Sequence, residues 1–202
     1  MIKVVAFAVL SLPLVWLCIA IAADISNPGS MLGADAGETI LFHLGDWGIR
    51  CLLLALSVST IRRWLKIPKI LRVRRMVGVF AFTYLFLHFL TYLWFFAGFD
   101  WALIGEDLTE RPYITVGFTA LVILSLLTAT STNGWQRRLR HRWRQLHKLV
   151  YLAASLGVLH FWWLTKDGYG EVLAYGLWLG VLFVDRWLAS RAVNTNQLGV
   201  KA

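Results

Sequence analysis

His147-Lys-Leu-Val-Tyr-Leu-Ala-Ala-Ser-Leu-Gly-Val-Leu-His160 is an apolar run with one imidazole at its start and another deep inside it. Histidine is costly in hydrocarbon, so an intramembrane one marks a functional site by default. A second apolar run carries His88 in its interior. Whether these stretches cross a bilayer, and whether His88 and His160 meet, decides what the chain is.

Composition answers the first question. The chain has 202 residues, 58% of them hydrophobic, with 11 Trp, 12 Phe and a mean hydropathy of +0.64. A soluble domain of this size could not hide that much apolar surface. Cys18 and Cys51 lie inside apolar runs, with no CxxC or Cys/His spacing. That argues against a disulfide framework and against a zinc site. No internal repeat or low-complexity linker is read from the sequence, so residues 1–202 are expected to form a single integral membrane domain.

Six apolar segments can be marked, at about 4–23, 43–64, 76–98, 113–130, 147–165 and 171–188. Each is near the ~20 residues that cross a ~30 Å hydrocarbon core. With no water there to satisfy the backbone, they are expected to be helices, which makes the fold an all-α bundle of six transmembrane helices. The first segment has Lys3 ahead of it and Ala20-Ile21-Ala22 near its end, as a signal peptide can. Its apolar part is longer than a usual signal core and its basic region is one lysine, so it is read as a helix, with Pro13 as a kink point.

The connections set the orientation. The one after the second segment carries Arg62, Arg63, Lys66, Lys69, Arg72, Arg74 and Arg75 without an acid. The one after the fourth carries Arg137, Arg138, Arg140, Arg142, Arg144 and Lys148, again without an acid. The alternate connections hold Asp24, Asp35 and Glu38, then Asp100, Glu106, Asp107 and Glu110 against Arg111, then Lys166, Asp167 and Glu171. The positive-inside rule puts both basic loops in the cytoplasm, with both termini and a short tail from about residue 189. The net charge of +9 is therefore topology and attraction to anionic lipid, not a nucleic-acid surface.

Among the histidines, His141 sits between two arginines in a basic loop and is read as solvated. His43 lies where the second segment enters from the outer side. His88 and His160 differ from both. Counted from Met76, His88 lies ~18 Å along its helix, and counted from His147, His160 lies ~19.5 Å along its own. Both helices rise from the inner face, so the two imidazoles reach nearly one depth in the outer half of the membrane. Each alone could be satisfied by a neighbouring hydroxyl or carbonyl. Together they suit bis-imidazole ligation of a haem.

Other polar residues are weighed around this pair. Gly157, three residues before His160, would let a porphyrin lie against the helix. Asp46 and Arg50, spaced i,i+4, form an intramembrane ion pair, with a haem propionate as the other partner open to Arg50. In a straight helix His147 and His160 point about 140° apart, so they do not line one face. Across from His147 stands Arg74, not a histidine. A second bis-histidine haem is thus unsupported, while a second site using His147 with another ligand, or a quinone or flavin site near His147 and Arg74, stays open. A small transporter using Asp46, Arg50 and the histidines as a polar track is the competing reading. Its mark would be paired, Pro/Gly-broken helices in two related halves, and no such halves are read.

With the residues in view, the chain resembles the ferric reductase-like transmembrane domain shared by ferric reductases and NADPH oxidases. More closely, it resembles the MsrQ (YedZ) family of haem-binding membrane subunits. The motifs are Arg74-Arg75-Met76-Val77-Gly78, Arg111-Pro112-Tyr113-Ile114-Thr115-Val116-Gly117, Thr130-Ser131-Thr132 and Trp143-Arg144-Gln145-Leu146-His147, with the likeness running from about residue 30 to residue 188. The resemblance implies a b-type haem carrier of the bacterial inner membrane, with His88 and His160 as iron ligands and His147 as a further candidate. It implies flavin (FMN) or quinone involvement and a periplasmic molybdopterin enzyme partner that reduces methionine sulfoxide in proteins. The larger relatives place a histidine where this chain has Arg74, which leaves the inner haem open. They also carry cytoplasmic flavin and nicotinamide domains, and nothing here resembles a GxGxxG turn. Electrons are therefore expected from quinol or a separate flavin reductase, with no substrate chemistry on this chain.

Overall fold

The computed structural model describes residues 2–165 and 168–199, with 192–199 as backbone only. Within them all regular structure is helical. In order come α1 (Ile2–Ser26), α2 (Ala36–Leu65), α3 (Leu71–Phe95), α4 (Trp101–Glu110), α5 (Pro112–Ala129), α6 (Asn133–Leu139), α7 (His141–Leu146), α8 (Leu149–Leu164) and α9 (Gly170–Gly199). A single 3-10 turn, Pro68–Ile70, leads into α3.

Five helices are long and apolar enough to cross a membrane: α1, α2, α3 with its 3-10 lead-in, α5, and α9 as far as Arg191. The expected fifth segment, 147–165, forms a helix only from Leu149. At 16 residues α8 falls short of the ~20 that span hydrocarbon unaided. His147 and Lys148 form a turn instead, with His147 N–H donating to the Trp143 carbonyl at 3.0 Å and Lys148 N–H to that of Gln145 at 3.1 Å. The last helix is longer than the expected 171–188, so the anticipated tail from about 189 begins as helix. Lys166 and Asp167, used in reading orientation, lie outside the described residues.

Local chemistry explains the boundaries. Asp35 caps α2 by accepting from the Glu38 N–H at 2.8 Å, and Lys66 ends it in a left-handed conformation with φ 55°. Pro112 opens α5 where a missing N–H costs nothing. The outer connection expected as a loop contains α4, because Asp100 accepts from Ala102 and Leu103 N–H groups at 2.8 and 3.4 Å.

The bundle is apolar on its outside. Val4 and Leu177 are each 71% exposed and Trp101 78%, which in water would be an aggregation liability and in a bilayer is the lipid contact. α2 is the central helix, its Leu44, Ile49, Leu52, Leu53 and Leu56 buried with Tyr84 of α3, Leu124 of α5 and Ala153 and Ala154 of α8. Its most extensive partner is α3, and that of α5 is α8. The small residues of α8 let it approach closely, as small residues do between membrane helices. α1 is pinned on by two polar contacts: Tyr84 donates its hydroxyl to the Leu10 carbonyl at 2.7 Å, and His43 Nε2 bonds the Pro13 carbonyl at 3.1 Å. The His43 ring also stacks on Trp16 at 4.8 Å. His43 thus serves packing between α1 and α2.

Candidate functional site

His88 lies in α3 and His160 in α8, about two turns and one turn from the C-terminal ends of their helices. Their ring centres are 6.3 Å apart with planes at 87°. Each ring spends Nδ1 on a backbone carbonyl: His88 on Leu41 at 2.9 Å, His160 on Tyr113 at 2.7 Å. Since a carbonyl only accepts, Nδ1 carries the proton and Nε2 keeps its lone pair. Neither Nε2 has a hydrogen-bond partner among the described residues, and both rings retain open surface.

This arrangement fits a metal between two imidazoles. A ligating nitrogen sits about 2 Å from a metal, and the ring centre about 1 Å beyond it, so two opposed imidazoles on one ion have centres roughly 6 Å apart. The observed spacing meets that. The described residues hold no group of three or more His, Cys, Asp or Glu able to take an ion by themselves. Two neutral imidazoles without further protein ligands suit a metal whose other positions are already filled, as in a haem. The carbonyl acceptors are the usual partners of ligating histidines, fixing tautomer and ring orientation and raising basicity.

Two glycines complete the cradle. A Cβ on Gly45 of α2 would lie 3.1 Å from Nδ1 of His88, and one on Gly117 of α5 would lie 2.7 Å from Nδ1 of His160. Both are one turn beyond the carbonyl that the same ring contacts. The two cradles therefore share a pattern: Leu41, Gly45 and His88 recur 72 residues later as Tyr113, Gly117 and His160. Each histidine stands 47 residues after its carbonyl partner. These three positions recur at one 72-residue offset in the α2–α3 and α5–α8 pairs, a spacing not read from the sequence. The only sequence signal is this fixed spacing between scattered residues. Gly157 has a different part from the one expected, since a Cβ there would meet Ile49 Cδ1 at 3.2 Å. It lets α8 pack on α2.

Arg50 stands apart from the pair, in a polar group between the middle of α2 and the first turns of α9. Its Nε donates to the Tyr175 hydroxyl at 2.7 Å. Its terminal nitrogen is 3.7 Å from Asp46 and 3.5 Å from Glu171, and the guanidinium lies over Trp47 at 5.3 Å. Glu171 and Tyr175 were not anticipated as its partners. With these groups engaged on one another, they form a closed cluster rather than a polar track.

His147 occupies neither the helix nor the face that a straight 147–165 helix assumed. It sits in the turn between α7 and α8, its ring stacked on Trp143 at 4.0 Å and its Nδ1 3.1 Å from the Trp143 carbonyl. Its Nε2 is buried and makes no hydrogen bond of good geometry, although the Leu127 backbone lies close enough to act on the ring, and the hydroxyl of Tyr151 one turn on is also buried without a partner. Buried polar atoms left unpaired in this way ask for an explanation. The half-buried Arg74 lies within electrostatic reach of His147 and of Arg186, and Arg186 covers the Tyr151 ring at 4.6 Å. The structure thus brings Arg74 and His147 together at the inner end and adds Tyr151 and Arg186.

Comparison with known proteins follows the same lines. The family described as ferric reductase like transmembrane component matches residues 44–158. That span includes His88, both cradle glycines and His147, and stops just short of His160. The protein-methionine-sulfoxide reductase heme-binding subunit MsrQ of Polaromonas naphthalenivorans is 40% identical, covering 98% of this chain and 91% of the relative. The protein of the same name from Caulobacter vibrioides is 42% identical over 90% and 89%, and that from Herminiimonas arsenicoxydans 41% over 83% and 79%.

Proposed function

The chain belongs to the MsrQ family of haem-binding subunits of protein-methionine-sulfoxide reductase, and to the wider ferric reductase like transmembrane component family, and we propose that it is the membrane electron relay of such a system. In this reading one b-type haem sits between His88 and His160. Electrons enter from quinol or a cytoplasmic flavin reductase. They leave to a periplasmic molybdopterin enzyme that repairs methionine sulfoxide in proteins. The chain is a six-span protein of the bacterial inner membrane with cytoplasmic termini. Two acid-free basic connections alternating with acidic ones support that orientation. α8 counts as the sixth span because it packs along α5 and carries His160 between apolar neighbours.

The observation that carries the reading is the opposed pair of imidazoles, 6.3 Å apart with both Nδ1 atoms committed to carbonyls. When bound, a haem supplies reversible one-electron cycling of its iron between ferric and ferrous. His88 and His160 would hold the iron through Nε2, with their carbonyl bonds to Leu41 and Tyr113 keeping both rings neutral and basic. The apolar side chains of α2, α3, α5 and α8 keep water out.

A second reading concerns the inner end, where the buried His147 Nε2 makes no hydrogen bond of good geometry and so favours a ligand that donates one. A quinol hydroxyl meets that need. Nε2 accepts its proton, and Arg74 steadies the oxygen as negative charge develops. Oxidation of the quinol would yield quinone, with one proton taken by His147 Nε2, the other released to solvent at this end of the bundle, and two electrons passed one at a time to the haem. FMN, with a ring N–H to donate to Nε2 and a phosphate for the arginines, is the competing occupant.

Optical spectra of the purified protein test the ligands. His88→Ala and His160→Ala are each expected to abolish the low-spin haem bands, and His43→Ala to leave them. Normal spectra in both single variants would refute the assignment. Quinol and a flavin reductase, supplied separately to reconstituted protein, test the donor. His147→Ala is expected to slow the quinol-driven reduction while the spectrum stays unchanged. An unaffected quinol rate would remove His147 from the donor site.

A further inference from the structure

We propose that Leu41, Gly45, Tyr113 and Gly117 are positioning residues that lock the two imidazole planes at a right angle. The bound ferric haem is then of the strongly anisotropic low-spin kind. This rests on the reading of His88 and His160 as haem ligands and adds a property that ligation alone does not require.

Each ring is restrained twice, by one face of a neighbouring helix. For His88, the Leu41 carbonyl takes Nδ1–H at 2.9 Å, which fixes the direction of the ring. Gly45, one turn later on the same face of α2, fixes its swing. A Cβ there would stand 3.1 Å from Nδ1 and 3.2 Å from Cε1, so the ring fills the space that a side chain would occupy. His160 is held more tightly, by the Tyr113 carbonyl at 2.7 Å and by Gly117, whose added Cβ would stand 2.7 and 2.8 Å from the same two ring atoms. Main-chain carbonyls within helices do not reorient as side chains do. The angle that results between the planes is 87°.

That angle has an electronic consequence. An imidazole donates π density to the iron d orbital perpendicular to its own plane. Parallel rings load one orbital of the dxz, dyz pair and split it. Crossed rings load one orbital each and leave the pair nearly equal in energy. An unpaired electron in a nearly degenerate pair keeps orbital angular momentum. Its resonance is then dominated by one low-field feature instead of three well-separated rhombic lines.

Electron paramagnetic resonance of the oxidised, haem-loaded full-length protein tests this, with optical spectra recorded on the same samples. The wild type is expected to show the single low-field feature. Gly117→Ala is expected to turn His160, moving that feature to higher field and resolving rhombic lines while the low-spin optical bands persist. Gly45→Ala is expected to do the same to a lesser degree and serves alone if Gly117→Ala does not retain haem. Gly78→Ala, where a Cβ meets nothing within 4 Å, is expected to leave the spectrum unchanged. A rhombic wild-type spectrum beside normal low-spin optical bands would overturn the crossed geometry and leave ligation standing. So would variants at Gly45 and Gly117 that resonate like the wild type. Absence of low-spin bands in the wild type would instead overturn the ligation on which the inference rests.

Discussion

Asp107→Ala should loosen the outer end of the molecule and with it the grip on His160. Asp107 is only 5% exposed although it lies in α4 at the membrane surface. Its Oδ2 accepts the Tyr92 hydroxyl of α3 at 2.5 Å, and its Oδ1 is 3.2 Å from Arg111 Nε at the start of α5. Two residues beyond Arg111 is Tyr113, whose carbonyl holds His160. The ion pair is worth little by itself, because the Arg111 side chain is half exposed and solvent screens it to about 1 kcal/mol or less. The hydroxyl–carboxylate bond is charge-assisted and worth about 1.5–3 kcal/mol. Together they put the loss at about 2–4 kcal/mol, or roughly 5–12 °C in the midpoint of unfolding for a chain of this size. Thermal loss of haem absorbance in detergent reads it directly, because the unravelling reaches Tyr113. A double-mutant cycle with Tyr92→Phe should return a coupling of about 1.5–3 kcal/mol. Strictly additive effects, or an Asp107→Ala midpoint equal to the wild type, would refute the network.

Three further outcomes follow from the contacts between helices. Tyr84→Phe deletes the hydroxyl that reaches Leu10 and should cost about 1 kcal/mol, seen as faster proteolysis between α1 and α2 with the haem spectrum intact. Asp185→Ala removes an acceptor shared by Thr60, Arg63 and Trp64 whose side chain is 13% exposed. Losing these bonds at a partly exposed site should cost about 1–2 kcal/mol, measured as a lowered unfolding midpoint in detergent. Arg74→His should raise the bis-imidazole haem content per chain by supplying a partner for His147, whereas Arg75→His should not, and haem-to-protein ratios distinguish them.

The membrane class and the outer histidine pair were legible because both depend on quantities that sequence carries directly: run length, charge spacing and the rise per residue of a helix. Counting from the inner face placed His88 and His160 at one depth, and the rings stand 6.3 Å apart. The cradle was not legible. Leu41 and Tyr113 act through their carbonyls, which every residue has, and Gly45 and Gly117 act through an absent side chain. Such residues show no type signature, only a shared 72-residue offset that becomes visible once two hairpins are seen to pack alike. Arg50 illustrates a different limit. Its pairing with Asp46 is local in sequence, but Glu171 and Tyr175 reach it from α9, and nothing in the chain announces a contact across that separation. The α7–α8 turn was missed for a third reason: hydropathy runs smoothly through 147–165, and only backbone bonding shows where a helix begins.

The end of the bundle near that turn also differs from the end where His88 and His160 meet. The position 72 residues before His147 is Arg75. Yet Arg75 is exposed and reaches Asn133 at 3.3 Å, while Arg74 is the half-buried residue in reach of His147. The helix breaks at His147 and Lys148, and it is Arg74 that lies in reach of the imidazole there. A guanidinium has donors only and no lone pair to offer a metal, so Arg74 cannot share a metal with His147 as two imidazoles can. Where His88 and His160 meet, two neutral rings stand at a spacing that fits a metal. The other end pairs one acceptor nitrogen with fixed positive charge, the arrangement that suits a ligand able to give up a proton and bear negative charge.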